Sequence, residues 1–538
     1  MGGALAAQLF LLALRLAQSF FLEFAAGYRP PGLPNEGGSP VEHVGRFGLW
    51  LVPVVAALGG WIVGLLITRL APEAEGHGTD AAVRAFHRSD GALRARVPPI
   101  KTIASAITIG SGGSAGREGP AALISAGIGS WYGQLTSRDA ADRRLLLLIG
   151  MSAGLAAIFR SPIGTALFAI EVLYADMEFE SGALLYTLLA SIVAYAVNGV
   201  FVGFKPLFVV PPLKTPEALE FLWFAALGVA AGLVAVLVPL VFYGTRDVFH
   251  RLRVPPSLKP AIGGLLTGLL GVALPQVIGG GYGWMQSAID GRMLAGTLLL
   301  LVFAKIVAMS MTVSSGGSGG VFAPSLFVGT MLGAWFAAVT HHDSASFAVV
   351  GMAAVFAGAA HVPIASLMMV TEMTGGYTLL VPAALAVTLS YIVQMRLAAR
   401  LPYRGLYSEQ VPRRADSPAL HSEHLEIAVR ILERQHPEAA RAQNHLELLA
   451  MLRSGAPAAL DHGRQLLLGI LRKGSSWVGR GFGADRGRLD DDTQVIAIIR
   501  GEHMMAPHAQ AQLEAGDRLI LLTTETALER VRAEVEPW

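Results

Sequence analysis

Long apolar runs, interrupted by Gly and Pro, dominate the first 410 residues. Residues 49–70, 221–243 and 380–393 with its flanks are long enough to cross a bilayer, which takes about 20 residues. The runs 121–133, 162–174, 321–335 and 363–371 are only 9 to 15 residues long and are cut by Gly or Pro. Half-spanning helices of that kind are tolerated in a membrane only where their ends face protein or a water-filled cavity. Residues 1–28 are apolar and hold no Lys or Arg before Arg15. A cleaved signal normally opens with positive charge, so this stretch predicts a retained interfacial helix. Past residue 410 the pattern changes. Residues 422–456 read as a helical connector, 465–470, 493–500 and 518–523 as strands, and Gly501 and 515–517 as turns. The pattern predicts an all-α polytopic membrane region followed by a small α+β domain.

Charge sharpens this division. The 538 residues are 53% apolar and 15% charged, against roughly a quarter charged in a soluble domain. Of the 80 charged residues, 34 lie in 411–538, which makes the tail about 27% charged and the rest about 11%. A wholly soluble enzyme and a disordered chain are excluded. A net charge of +2 excludes a strongly basic nucleic-acid binder. With no Cys there is no disulfide, thiolate nucleophile or Cys metal site. No metal or cofactor is expected. Basic residues gather at 88–101, 138–144, 246–259 and 396–414, which assigns those loops and the tail to the cytoplasmic side of a cell membrane.

An internal repeat organises the membrane region. Lys101 and Lys305 open similar stretches 204 residues apart. At that offset Gly112-Gly113-Ser114 matches Gly316-Gly317-Ser318, and Gly116, Pro120, Gly129 and Trp131 match Gly320, Pro324, Gly333 and Trp335. At an offset of 201, Gly150-Met151, Pro162-Ile163 and Glu171 match Gly351-Met352, Pro363-Ile364 and Glu372. At 205, Gly76-His77-Gly78 matches Gly281-Tyr282-Gly283. Two halves with matching interrupted helices point to a transport site at the repeat interface.

The glycine segments carry the candidate chemistry. Gly116-Arg117-Glu118-Gly119-Pro120 follows three further glycines and precedes a helix. Pro120 suits the first turn, where no N–H is needed, and the glycines allow close backbone approach. A helix N-terminus offers unpaired N–H groups and a positive dipole end, the elements of an anion site. Gly319-Gly320-Val321-Phe322-Ala323-Pro324 repeats the design. Two such ends meeting in a membrane would hold an anion without a full positive charge, as a conducted ion requires. Packing glycines at helix crossings are the structural alternative. A phosphate-cradling loop fails because no Gly-Lys-Ser/Thr follows, and a serine elbow lacks its strand-turn-helix context. Glu118 stands inside this site, where a carboxylate is costly and functional by default. It is either a gate that competes with the anion until protonated or a structural partner of Arg117.

Together, Gly116-Arg117-Glu118-Gly119-Pro120 and Gly320-Val321-Phe322-Ala323-Pro324, in this order within a repeated membrane domain, resemble the CLC chloride channel and transporter family. The resemblance covers about residues 15–415. It implies an inverted-repeat fold with halves at about 46–205 and 220–410, a homodimer, one pore per subunit, and chloride as the transported ion. It assigns gating to Glu118 and central anion contacts to the N–H groups of Val321 and Phe322 and the Tyr407 hydroxyl. Gly116, Arg117, Gly119, Gly320 and Ala323 complete the anion site. Two departures stand out. Where the family reads Gly-Ser-Gly-Ile-Pro, this chain has Gly76-His77-Gly78-Thr79-Asp80, so imidazole replaces the serine hydroxyl. His77 either faces the anion, making binding pH-sensitive, or turns away to bond backbone. After Phe159-Arg160-Ser161-Pro162, the family's internal proton-site position, adjacent to Glu171, holds Val172. Valine relays no proton, which favours a passive, voltage- or pH-gated chloride channel, with chloride/proton antiport as the alternative. Glu171 and Glu372 are expected to cap or tie structure.

In the tail, Ser475-Ser476-Trp477-Val478-Gly479-Arg480, residues 493–500 and Leu513-Glu514-Ala515-Gly516-Asp517-Arg518 resemble the TrkA C-terminal regulatory domain. The resemblance implies a dimerising module with a small regulatory ligand; a brace without ligand is the alternative. The expected division is 1–415 for conduction, 416–460 for a helical connector and 461–538 for regulation. A membrane-anchored sensor with a vestigial pore is a rival of another class. A membrane-embedded hydrolase is weaker, because no Ser/His/Asp set or metal cluster stands out.

Overall fold

The computed structural model describes residues 1–213, 215–435, 452, 457–460, 463–482, 487–508 and 510–537. It divides into two compact units, Met1–Pro412 and Arg413–Trp538.

The first unit is helical. Its helices are α1 (Gly2–Gln18), α2 (Val52–Leu70), α3 (Thr79–Arg88), α4 (Val97–Gly110), α5 (Glu118–Leu135), α6 (Ala140–Phe159), α7 (Pro162–Glu171) and α8 (Leu184–Val202). A second series follows: α9 (Glu220–Arg251), α10 (Lys259–Ala273), α11 (Tyr282–Ile289), α12 (Ala295–Val313), α13 (Phe322–Thr340), α14 (Ser344–Ala360), α15 (Pro363–Thr374) and α16 (Leu380–Ala398). From α2 to α7 the helices match α10 to α15 one by one near the offsets of the sequence repeat. Repeat mates pack on each other, α2 on α10 and α7 on α15. Gly60 and Gly64 of α2 lie so close to the backbone at Pro260 and Ser257 that a Cβ would collide, and Gly264 and Gly268 of α10 meet Ala56 and Pro53 in the same way. Small residues four apart let two helix backbones touch, which drives packing where lipid removes the hydrophobic contrast.

Two expectations fall short of the structure. The first helix has the length and apolarity of a membrane span, more than the interfacial reading asked of it. With the π-helical turn Ser19–Ala25 it forms a 24-residue apolar stretch, long enough to span. It packs against α4, α5 and α6, burying Ala4, Ala7, Phe10 and Leu14, and Gly3 abuts the α6 backbone at Gly150. Nor does 321–335 bound a half-span: α13 runs 19 residues to Thr340. Gly333 lies within it as a contact point, because a Cβ there would strike the Phe347 carbonyl of α14. The helices opening at Pro162 and Pro363 are short, 10 and 12 residues. Between α1 and α2 an irregular segment carries a two-stranded ribbon, β1 (Tyr28–Arg29) with β2 (His43–Val44), and a 3-10 turn at Pro34–Glu36.

The second unit is an antiparallel sheet in the order β3 (Ala458–Ala459), β4 (Arg464–Leu471), β7 (Arg518–Thr524), β5 (Thr493–Arg500) and β6 (His503–Met505), with β8 (Val535–Pro537) also on β4. Period-two alternation gives it two buried faces. Leu466, Leu468, Ile496, Ile520 and Leu522 pack with Leu425, Val429 and Leu432 of α17 (Pro418–Gln435). Leu467, Leu471, Val495, Leu519 and Leu521 pack with Trp477, Phe482 and Val531 of α18 (Leu528–Glu534). Three expected strands are present and three short ones join them. Of the expected connector, 436–451 and 453–456 lie outside the described residues.

Candidate functional site

The two glycine loops meet at the centre of the first unit. Gly112 and Gly316 hold φ +108° and +103°, a region L side chains rarely enter. The chain then crosses to the opposite half. Ser114 N donates to Thr312 Oγ1 at 2.9 Å, and Ser318 N donates to Thr108 Oγ1 at 3.3 Å. Gly116 N donates to Gly320 O, and Gly320 N to Gly116 O, both at 2.7 Å. Each bond is its partner's mate under the repeat. Reciprocal bonds between equivalent residues are what a local two-fold axis through this junction produces.

From the junction start α5, with Arg117 at its N-cap, and α13, with Val321 at its N-cap; neither has a side-chain cap. Their first-turn N–H groups and positive dipole ends therefore remain available to an anion. The contrast with α7 and α15 is informative. Glu372 accepts from Ser161 Oγ (2.6 Å), Ile163 N (3.2 Å) and Gly164 N (2.9 Å) at the start of α7. Glu171 accepts from Ile364 N (3.1 Å) and Ala365 N (2.6 Å) at the start of α15. Each glutamate ends one short helix and caps its repeat mate, with its charge at the positive dipole end. Val172 is fully buried beside Glu171.

Glu118 is 1% exposed. Its carboxylate lies over Gly116 and against the backbone amides of Glu118 and Ala323, with neither oxygen in a well-aligned hydrogen bond. Its nearest cation is Arg117 Nε at 3.9 Å. Arg117 itself is committed elsewhere. It holds Glu36 in a two-pronged pair, at 2.7 and 3.1 Å, and lies over the Tyr282 ring at 4.7 Å. The Arg117–Glu118 pair is therefore the longer of the two that Arg117 makes. Glu36 carried no sequence signal, since it lies in irregular chain 81 residues from its partner. Phe322, the repeat mate of Glu118, instead joins Phe159, Phe168 and Phe356.

His77, Gly76, Gly78 and Tyr407 gather on the other side of the junction. Gly76 N donates to Gly317 O, and Gly319 N to Gly76 O, so the first motif is stitched to the second glycine loop. Gly78 has φ +88° and rests against Gly119. His77 is 5% exposed and its Nε2 lies 3.1 Å from Asp80 Oδ2. The ring neither turns away to the backbone nor completes a bond at Nδ1. It stands 5.4 Å from the Tyr407 ring, whose buried hydroxyl is also unpartnered. Tyr403 is separate: its hydroxyl donates to Asp247 and its ring stacks on Tyr243.

Lys101 and Lys305, which marked the repeat, have a structural use the sequence reading missed. Both are fully buried. Lys101 Nζ donates to Ala74 O and Gly76 O at 3.0 and 2.7 Å; Lys305 Nζ donates to Val277 O and Gly279 O at 2.9 and 2.7 Å. The available signal was a single Lys inside each apolar helix.

A cavity opens on each side of the junction. One, of about 430 Å³, is bordered by Arg15, Glu36, Arg117 and Tyr282. The other, of about 470 Å³, is bordered by His77, Asp80, Arg84, Arg94 and Arg246. Residues of three of the four basic runs of the sequence, 88–101, 246–259 and 396–414, border this second mouth.

The chain matches the family model described as voltage gated chloride channel over residues 59–395 and that of the TrkA-C domain over 471–535. It is 30% identical over 354 residues, 64% of this chain and 82% of the relative, to a protein of Ralstonia nicotianae whose name places it as ClcB-like, a chloride channel protein. It is 33% identical over 365 residues, 64% of this chain and 77% of the relative, to the H(+)/Cl(-) exchange transporter ClcA of Cronobacter sakazakii. A CLC-type fluoride/proton antiporter superposes with a TM-score of 0.63 at 24% identity, covering 76% of this chain and 95% of its own. A slow cyanobacterial Cl-/H+ antiporter gives 0.63 at 21%, covering 74% and 93%. These likenesses establish the fold, and with the family match and the paired glycine loops they make the chain a member of the CLC family of chloride channels and transporters, carrying a TrkA-C domain at its C-terminal end.

Proposed function

We propose that this chain exchanges chloride for protons, with Glu118 as the group that binds both in turn. The observation that carries the reading is the Glu118 carboxylate, buried among helix N-termini with neither oxygen in a well-aligned hydrogen bond. Deprotonated, it is a tethered anion and excludes chloride by occupying the field chloride needs. Protonated, it loses its charge and its claim on those N–H groups, and chloride enters. A proton bound therefore trades for an anion admitted. The exchange-transporter names of relatives support coupling over the passive conduction that Val172 favours. Val321 and Phe322 N–H groups and the Tyr407 hydroxyl are the proposed anion contacts. The mouth lined by basic runs is assigned to the cytoplasm, together with the TrkA-C domain as a regulatory module. A homodimer with one pore in each subunit is the proposed assembly.

The test is reconstitution in liposomes with a chloride gradient and a pH probe. Uphill proton movement driven by chloride supports exchange; chloride flux without it returns the channel reading.

A further inference from the structure

Exchange needs a proton route to Glu118 from each side, and the acids on one side are occupied. Glu171 and Glu372 spend their oxygens capping α15 and α7, and Val172 cannot titrate. We infer that the His77–Asp80 pair delivers protons to Glu118 from the basic mouth, an inference that rests on the exchange reading above.

Asp80 is held as an acceptor. It takes Ser408 Oγ at 2.9 Å, Ser408 N at 3.2 Å and Glu409 N at 3.3 Å besides His77 Nε2. A carboxylate with those donors fixes the neutral imidazole tautomer, with the hydrogen on Nε2 and the lone pair on Nδ1. Nδ1 is buried and has no other partner. The ring also borders the water-accessible cavity of about 470 Å³. Toward the centre, Tyr407 stands next to His77 and feels the charge of both Asp80 and Glu118. The backbone of His77 touches Gly119, the neighbour of Glu118. The base thus sits between a solvent-filled mouth and the gate.

The step balances in protons alone. A hydronium ion in the cavity that the ring borders gives up its proton to Nδ1 and becomes water, leaving an imidazolium paired with Asp80. That N–H bond then breaks as an O–H bond forms on Glu118, with the Tyr407 hydroxyl passing on its own proton as it receives one. Imidazolium and carboxylate both become neutral, and Glu118 leaves the anion site.

Other charged groups face the ring from each packed element. Arg84, one turn further along α3, is paired with Glu409 at 2.8 Å. From α4, Lys101 Nζ binds Gly76 O, one residue before His77. From α9, Arg246 and His250 border the same cavity, as does Glu75 ahead of α3. Arg246 lies over the Tyr243 ring at 4.4 Å. The Asp80 contact is the direct one.

The experiment uses the full chain in liposomes, measuring chloride efflux and chloride-driven proton uptake together. His77→Ser and His77→Gln both keep a small polar side chain without a titrating nitrogen. Each is expected to hold chloride efflux within about threefold of the parent while proton uptake falls about tenfold or more, a smaller loss than the roughly hundredfold or greater contribution of a group in direct acid–base contact. Asp80→Asn should lower proton uptake in the same direction. A parental proton-to-chloride ratio in either His77 variant overturns the inference and leaves exchange standing. Loss of both fluxes in both variants also overturns it, placing His77 in the anion path instead. Absence of proton uptake in the parent overturns the exchange reading itself.

Discussion

Residues 110–120 and 314–324 follow the same backbone course. They share the left-handed glycine, the serine amide bonded to the opposite half and the central glycine pair, then enter helices without caps. Their side chains part company past the pair. One half places Glu118 over the junction, and the other places Phe322 in an aromatic cluster. The mouths differ likewise: His77 with Asp80 on one side, Tyr282 beneath Arg117 on the other. A doubled scaffold supplies symmetric dipole ends, and a single-sided acid supplies direction. On the proposed exchange reading, the duplicated backbone would make the anion site and the unduplicated residues would make it responsive to protons.

Removing the asymmetric acid breaks this comparison most severely. Glu118→Gln is expected to cut chloride-driven proton uptake by about a hundredfold, within the range for loss of an acid–base group, and to make chloride efflux independent of pH. Liposome flux at a series of pH values checks it, and persisting pH dependence would assign the gate to another group. The Arg117–Glu36 pair comes next. Glu36→Gln frees Arg117, 3.9 Å from Glu118, to hold the deprotonated gate in place. Chloride efflux should fall about tenfold, equivalent to about 1.4 kcal/mol. Unchanged efflux would show that Glu36 does not restrain Arg117.

The reciprocal caps sharpen the comparison from its symmetric side. Glu171→Gln and Glu372→Gln each weaken charge-assisted bonds to one helix start, so each should cost about 1–3 kcal/mol. Thermal unfolding in detergent should give similar losses for the two. A Glu171 variant that kept its stability and lost proton uptake would make that residue a relay rather than a cap. The smallest effect lies in the tail. Burial alone would raise the Glu534 carboxyl, but hydrogen bonds from Ser475 and Ser476 outweigh it and hold the group below the usual glutamate range. A depressed carboxylate stabilises the fold above its unfolded pKa of about 4.3, and that stability is lost as pH falls through the lower folded value. Glu534→Gln should flatten the thermal stability of the tail domain below about pH 4 by a degree or two. An unchanged profile would show the contact to be neutral.

The repeat was legible because identical residues recur at fixed offsets, and the glycine loops because a proline marks each following helix. Thr493–Arg500 was legible as an apolar strand between polar turns, whereas the three-residue strands His503–Met505 and Val535–Pro537 are too short to show a period. The length of α13 was underread because the run was closed at Trp335, although Phe336–Thr340 continue it without a Gly or Pro. Glu36 was invisible for a different reason: its role depends on an irregular segment folding back over the junction. The His77–Asp80 contact was within reach, since a spacing of three at a helix start brings side chains together; the missing serine drew attention to the anion and away from the aspartate.

The Gly116–Gly320 pair also sets a schedule for biogenesis. Its two strands lie 204 residues apart, so at about 5–20 residues per second the ribosome delivers the second roughly 10–40 s after the first. For that interval Gly116 lacks the partner for its amide and carbonyl, groups that cost several kcal/mol each if left unmatched in hydrocarbon. The nascent first half must therefore be sheltered, by the insertion machinery or by water, until its twin arrives. Mutations that slow the second half should expose the first to quality control before any defect in conduction could be felt.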